Sequence, residues 1–343
     1  MKKPVGIIGS GSFGMTLAHL ASENQDVLMY TRREEVVESI NKDHVLKGYP
    51  LSDKIKASTD LEYVCDQCRL LIPVIPSSTF RTVIQQMAPF LSPQHFLIHG
   101  TKGLDYPSLE ILNDRNTLKK EEVFTMSEVI RQETGLIRIG CLAGPNLSKE
   151  ILMNKPAATV IASPFNEVIA LGTESLKSNK FYIFSSLELQ GTELVGAFKN
   201  IFAIVAGIVE GSDMGKNVFG LLITRAMREM INFLNLLDSD KAPALGTAGL
   251  GDLVATSASG DSRYFTFGKK IASGMSFEEI MESQTELAEG VRTLKAAYLL
   301  SKEYKIDAPI TNMLHQVVYE GLDINRALSF MMSYPFQEDV DFM

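Results

Sequence analysis

Lys199 is the one charge in a long apolar run, and a lysine so placed is suited to moving a proton. From Leu194 to Val209 the chain reads LVGAFKNIFAIVAGIV, with Asn200 the only other polar side chain. On a helix its neighbours at three- and four-residue spacing are Val195, Gly196, Phe202 and Ala203, with Ala206 one turn further on. Burying a lone ammonium is costly, and the usual relief is a depressed pKa or an anionic partner. An amine held this way suits proton transfer near neutral pH, and the small neighbours leave room for a small substrate. The competing reading is a lysine that snorkels to the surface past an ordinary core helix.

Two further groups could act with it. Asp252 follows a glycine-rich turn in the segment TAGLGDLVAT, where a carboxylate can be aimed at a pocket. Arg263, after Asp261 and Ser262, can clamp a phosphate bidentately, with the Ser262 hydroxyl and nearby amides completing a cradle. Taken singly, Asp252 reads equally well as a helix N-cap and Arg263 as a surface ion pair.

A second kind of chemistry is written at the start of the chain. Val5-Gly6-Ile7-Ile8 runs into Gly9-Ser10-Gly11-Ser12-Phe13-Gly14 and then a helical pattern near Met15. This is G-x-G-x-x-G directly after a strand and opening a helix. Gly9 allows the tight turn, Gly11 lets a pyrophosphate approach the backbone, and Gly14 lets helix and strand pack closely. The pyrophosphate then rests on the helix N-terminus. An acidic residue at the end of the second strand would hold the ribose 2′-hydroxyl of NAD. The chain has Thr31-Arg32-Arg33 there, and two guanidinium groups suit a 2′-phosphate. NADP is therefore favoured, and NAD use stays open because one arginine can stack on adenine.

The elements that position these groups fall into two halves. Candidate strands are Val5–Ile8, Val27–Thr31, Leu70–Ile75, His95–His99, Leu136–Leu142, Ala158–Ala162 and Phe181–Phe184, most separated by stretches of helical period. The alternation predicts an α/β fold, with an N-terminal Rossmann-like, doubly wound, mostly parallel sheet. From about residue 190 helical patterns take over, at 191–212, 217–236, 288–303 and 309–320. The expected organisation is a dinucleotide-binding domain over 1–189, an all-helical substrate and catalytic domain over 190–335, and an acidic tail over 336–343.

Composition narrows the partners. At 343 residues, 45% hydrophobic and 22% charged, the chain is an ordinary globular protein long enough for two cores. A net charge of −8 argues against nucleic acid or an anionic membrane as main partner. The apolar run Ile201–Val209 is too short to cross a bilayer, no secretory signal opens the chain, and the expected location is the cytoplasm. Cys65 and Cys68 form a C-x-x-C pair without the further ligands a zinc site needs, so they and Cys141 read as incidental thiols and no metal is expected.

Five motifs, taken together, resemble the soluble, biosynthetic NAD(P)-dependent glycerol-3-phosphate dehydrogenases. They are GSGSFGMTLA at 9–18, TKGL at 101–104, AGPNLSKEI at 143–151, GAFKNIFAIVAGI at 196–208 and TAGLGDLVATSASGDSR at 247–263, with a weaker AEGVRT at 288–293. The resemblance implies roles. Lys199 matches the family's catalytic proton donor and acceptor, and Asp252 an acid that holds lysine and hydroxyl in place. Lys102 matches a lysine shared by cofactor and substrate, and Gly144 and Asn146 match substrate-loop positions. Ser148, Ser12, Phe13, Leu287 and Glu289 match cofactor contacts. Ser262 and Arg263 match substrate-phosphate contacts, with Arg263 also near cofactor.

Three departures stand out. Family members commonly read Ser-Arg-Asn-Arg-Arg in the phosphate segment, whereas this chain reads Ser262-Arg263-Tyr264-Phe265-Thr266, which removes positive charge and alters the contact at Tyr264. An extra stretch around Pro107–Glu122 reads as a surface elaboration. Asn146 replaces the usual Ser or Thr after Gly-Pro.

The implied reaction is hydride transfer between NAD(P)H and the C2 carbon of dihydroxyacetone phosphate. Its product, sn-glycerol 3-phosphate, feeds phospholipid synthesis, and the expected assembly is a homodimer. The sequence leaves two rivals open: a reductase for another small acid, and a cofactor-binding sensor without turnover. The Ser262-Arg263 element argues against the first, and the embedded lysine against the second.

Overall fold

The computed structural model describes residues 3–283 and 288–334. It divides into two compact units, one formed by Met1–Asp105 and Thr125–Glu193, the other by Tyr106–Phe124 and Leu194–Met343.

The first unit holds ten strands: β1 (Val5–Ile8), β2 (Val27–Tyr30), β3 (Val45–Leu46), β4 (Tyr49–Pro50), β5 (Ile55–Ser58), β6 (Leu70–Pro73), β7 (Phe96–His99), β8 (Ile139–Ala143), β9 (Ala157–Ala162) and β10 (Phe181–Ser186). Eight form one sheet in the order β10-β9-β8-β7-β6-β1-β2-β5, while β3 and β4 make a separate hairpin. The central strands β1, β6, β7 and β8 are buried along their whole length, as a parallel sheet covered on both faces requires. Within the eight-stranded sheet all pairings are parallel except β8 with β9. The connection between those two carries the five-residue helix Ser148–Leu152, and β9 runs back antiparallel beside β8. The expected strands are all present. Sequence patterning missed β5, an edge strand reading Ile-Lys-Ala-Ser with alternating burial, and the hairpin.

This order sets the switch point at β1 and β6, because the chain proceeds from β1 to β2 and β5 on one side and to β6 and β7 on the other. Ligands of open α/β sheets bind beyond the carboxyl ends of strands at such a point. There the chain places the glycine loop after β1, Val74 after β6, Lys102 after β7, and Gly144 with Asn146 after β8.

The second unit is helical. Its longest helix, Leu189–Gly211, begins in the last residues of the first unit and is the one described helix long and apolar enough to cross a membrane. Some 89% of its apolar window is buried inside the protein, so a core position accounts for its composition. Phe198 stacks on Phe233 of the helix Gly215–Leu236, with ring centroids 4.7 Å apart. The helix Arg263–Ala272 crosses it closely: a Cβ on Gly268 would stand 1.9 Å from the Ile204 carbonyl oxygen, and one on Gly207 2.0 Å from that of Phe265. Glycine on both helices is what lets the backbones approach, and it fixes Arg263 with respect to Lys199.

The stretch around Pro107–Glu122, expected on the surface, belongs with this helical unit. Leu112 and Leu118 are fully buried, the Lys120 amide donates to the Tyr304 hydroxyl at 3.1 Å, and Lys120 Nζ pairs with Asp238 at 2.8 Å. Leu112 and Leu118 anchor it there, while most of the stretch is exposed, as expected of a surface elaboration. The acidic tail expected over 336–343 lies outside the described residues.

Candidate active site

Lys199 is buried, with 5% of its side chain exposed, so it does not snorkel. Val195, Phe202, Ala203 and Ala206 around it are fully buried. Its ammonium donates to Asp252 Oδ1 at 3.0 Å and to Thr256 Oγ1 at 2.6 Å, and the Thr256 hydroxyl donates in turn to Asp252 Oδ1 at 3.0 Å. Asp252 opens the helix Asp252–Ser257, where no side chain caps the N-terminus: the carboxylate is spent on the lysine. The N-cap reading of Asp252 is thereby excluded. Asp252 and Thr256 stand four residues apart on one helix face, which brings both to the same amine. Thr256 lies inside the segment TAGLGDLVATSASGDSR, where a hydroxyl next to Val254 and Ala255 gives no signal of its own.

Two buried acceptors flank this triangle in sequence. Asn200 Oδ1 and Ser257 Oγ have no hydrogen-bond partner among the described residues.

Ser262 and Arg263 stand at the start of the helix Arg263–Ala272. The Ser262 hydroxyl accepts from the Phe265 amide at 3.3 Å as N-cap, and the Arg263 side chain is exposed. Tyr264 is buried. A Cβ on Gly290 would lie 2.4 Å from its ring, so the ring rests directly on that glycine of the helix Ala288–Glu303. Packing on Gly290 is thus the task of the Tyr264 ring in this structure. Of Glu289 only its place in that helix is described, and Leu287 lies outside the described residues.

In the first unit, the glycine loop has the form a dinucleotide needs. Gly9 has φ +121°, and a Cβ there would sit 2.7 Å from the Val74 carbonyl oxygen. One on Gly14 would sit 2.2 Å from the Gly9 carbonyl oxygen, whereas one on Gly11 would meet nothing within 4 Å. The open face is thus at Gly11, the N-cap of the helix Ser12–Ser22, which no side chain caps. These residues fit a bound pyrophosphate. Phe13 packs under the loop against Gly100, whose Cβ would lie 2.9 Å from its ring.

Arg33 Nη2 donates to Ser10 Oγ at 3.2 Å, and Ser10 shares a 2.9 Å hydrogen bond with Thr31. An exposed guanidinium is thus tethered to the loop itself, with exposed Arg32 beside it in sequence. The nearby Glu34 accepts from Thr59 Oγ1 at 2.9 Å.

Lys102 and the loop after β8 come together. Lys102 Nζ donates to the Gly144 carbonyl at 2.8 Å, and Gly144 has φ +147°. Asn146 Nδ2 donates to Thr159 Oγ1 at 3.0 Å, while that hydroxyl donates to the Ala143 carbonyl at 3.1 Å. The network fixes the amide's orientation and leaves Asn146 Oδ1 as a buried acceptor without a partner among the described residues. Ser148 opens the short helix that follows.

Burial pushes the Cys65 and Cys68 thiols up to about 12 and Cys141 well above the usual thiol range. Thiols of this kind are poor nucleophiles and poor ligands. Among the described residues no group of three or more His, Cys, Asp or Glu side chains could hold a metal ion.

Comparison with known proteins places these features in context. A family model described as the NAD-dependent glycerol-3-phosphate dehydrogenase N-terminus matches residues 4–169, and the C-terminus of the same family matches 188–329. A Pseudomonas aeruginosa (strain LESB58) protein named glycerol-3-phosphate dehydrogenase [NAD(P)+] is 34% identical over 347 residues, covering 100% of this chain and 98% of its own. A namesake from Acinetobacter baumannii (strain SDF) is 36% identical and covers 98% of this chain and 92% of its own. The crystal structure of glycerol-3-phosphate dehydrogenase from Coxiella burnetii superposes with a TM-score of 0.85 at 28% identity, covering 97% of this chain and 99% of that one.

Proposed function

The chain belongs to the NAD-dependent glycerol-3-phosphate dehydrogenase family, and from that premise we propose how its residues divide the work. It is an oxidoreductase that interconverts dihydroxyacetone phosphate and sn-glycerol 3-phosphate with NAD(P)H. The observation that carries the proposal is the buried triangle of Lys199, Asp252 and Thr256.

Reduction of a ketone needs a proton delivered to the oxygen as negative charge develops on it. Lys199 supplies that proton from its ammonium, and its charge stabilises the oxygen before transfer is complete. Asp252 and Thr256 hold the amine in one orientation. In the reverse direction the neutral amine takes the hydroxyl proton. Ser262 and Arg263 hold the substrate phosphate, so that binding energy from a non-reacting group positions the carbonyl. Lys102, Gly144 and Asn146 complete the substrate contacts, and the unpartnered Asn146 Oδ1 is suited to accept from a hydroxyl or amide N–H.

When bound, the nicotinamide supplies or accepts the hydride. Gly9, Gly11, Ser12, Phe13 and Gly14 would hold the pyrophosphate, with Arg32 and Arg33 on a 2′-phosphate and Ser148 and Glu289 as further contacts. NADPH is the favoured cofactor on this reading. Supply of glycerol phosphate to phospholipid synthesis, a cytoplasmic location and a homodimeric assembly complete it. Its test is oxidation of NADPH by purified protein offered dihydroxyacetone phosphate or a small 2-oxo acid. Turnover with the phosphate ester alone is expected. Turnover with the oxo acid alone would overturn the reading.

A further inference from the structure

The hairpin formed by β3 and β4 turns on two residues, Lys47 and Gly48, both left-handed with φ +50° and +79°. Such a two-residue turn favours asparagine, aspartate or glycine at its first position, and lysine there is strained. From this turn the Lys47 side chain reaches back to the glycine loop, where Nζ donates to Ser12 Oγ at 3.3 Å. Ser12 is the first residue of the helix whose N-cap, Gly11, opens onto free space. A cation beside a helix N-terminus is unfavourable on its own, because the helix end already carries partial positive charge. An anion bound there converts both into attraction.

We propose that Lys47 is a contact to the diphosphate bridge of the dinucleotide. It reads charge common to NADP and NAD, and its task is distinct from that of Arg32 and Arg33. The two kinds of cation meet the loop at different residues, Arg33 at Ser10 and Lys47 at Ser12. Ser10 is bonded to Thr31 at the end of β2, where the ribose is read, whereas Ser12 opens the helix on which the pyrophosphate rests. The inference rests on the assignment of the dinucleotide to this loop.

The test is calorimetric titration of the wild-type protein and Lys47→Asn with NADPH and with NADH. Asparagine removes the charge and supplies a residue type the turn favours, so thermal stability is expected to hold or rise. Both dissociation constants should rise together by about 10-fold or more, the size of one charge-assisted hydrogen bond. The difference should narrow at high salt, as expected for a solvent-exposed cation. Unchanged affinity for both cofactors would overturn the proposal. So would a loss confined to NADPH, which would make Lys47 a reader of the 2′-phosphate instead. Wild-type protein that bound neither dinucleotide would overturn the cofactor assignment, and the role of Lys47 with it.

Discussion

Lys199 Nζ stands 2.6 Å from Thr256 Oγ1, closer than the 3.0 Å that separates it from Asp252. The threonine is thus a direct ligand of the amine, and its own proton goes to the carboxylate. Thr256→Val keeps the shape and removes both hydrogen bonds. Bonds to charged groups contribute about 1.5–3 kcal/mol, so kcat should fall by roughly 10- to 100-fold with KM for dihydroxyacetone phosphate little changed. Thr256→Ser should restore most of the rate. Steady-state kinetics decides, and a valine variant at wild-type rate would show that the hydroxyl has no part in aligning the amine.

The tether of Arg33 to Ser10 bears on cofactor choice. Replacing Arg32 and Arg33 by glutamine should weaken NADPH by about 1.5–3 kcal/mol and leave NADH little changed. Glu34 is engaged by Thr59 in this structure, in keeping with a 2′-phosphate beside the arginines. Dissociation constants for the two cofactors measure the effect directly, and equal losses would contradict it.

Glu229 is buried in the helix Gly215–Leu236 and caps the helix Pro309–Tyr319, accepting from the Ile310 and Thr311 amides and from the Thr311 hydroxyl. Burial pushes its carboxyl up to about 7 despite those donors. A carboxyl raised in the folded state makes that state bind more protons than the unfolded chain. Its contribution to stability is therefore complete below the ordinary carboxylate range, near 4.5, and is lost as pH rises to about 7. The melting temperature should decline over that window in the wild type, and Glu229→Gln should flatten the decline. Parallel pH profiles for the two proteins would refute the assignment.

Most of the sheet was legible because buried parallel strands are short, continuous apolar runs, as in Val5–Ile8 and Phe96–His99. Ile55–Ser58 was not, since an edge strand with a lysine in it carries little apolar signal. The reversal of β9 against β8 leaves no mark in the sequence, because an apolar run reads the same whichever way its strand points. Lys199 stood out because a single charge interrupts an apolar helix. Its partner Asp252 was reached through the glycine turn before it. Thr256 carries no such contrast: a hydroxyl beside Val254 and Ala255 is unremarked until the helix turns it toward the amine. Lys47 is 35 residues from Ser12, and only the hairpin brings them together. The stretch around Pro107–Glu122 is mostly exposed, as its composition suggested, and only its two anchoring leucines, Leu112 and Leu118, went unmarked.

The central claim is that Lys199 moves the substrate proton, and the most direct measurement is single-turnover oxidation of bound NADPH by dihydroxyacetone phosphate in Lys199→Ala and Lys199→Arg. Both variants should bind NADPH as the wild type does, since the glycine loop and its arginines lie in the first compact unit. Both should fail in the reductive step, alanine for want of a proton donor and arginine because a guanidinium does not release its proton at this pH. Near-normal reduction in either variant, with cofactor binding intact, would contradict the account.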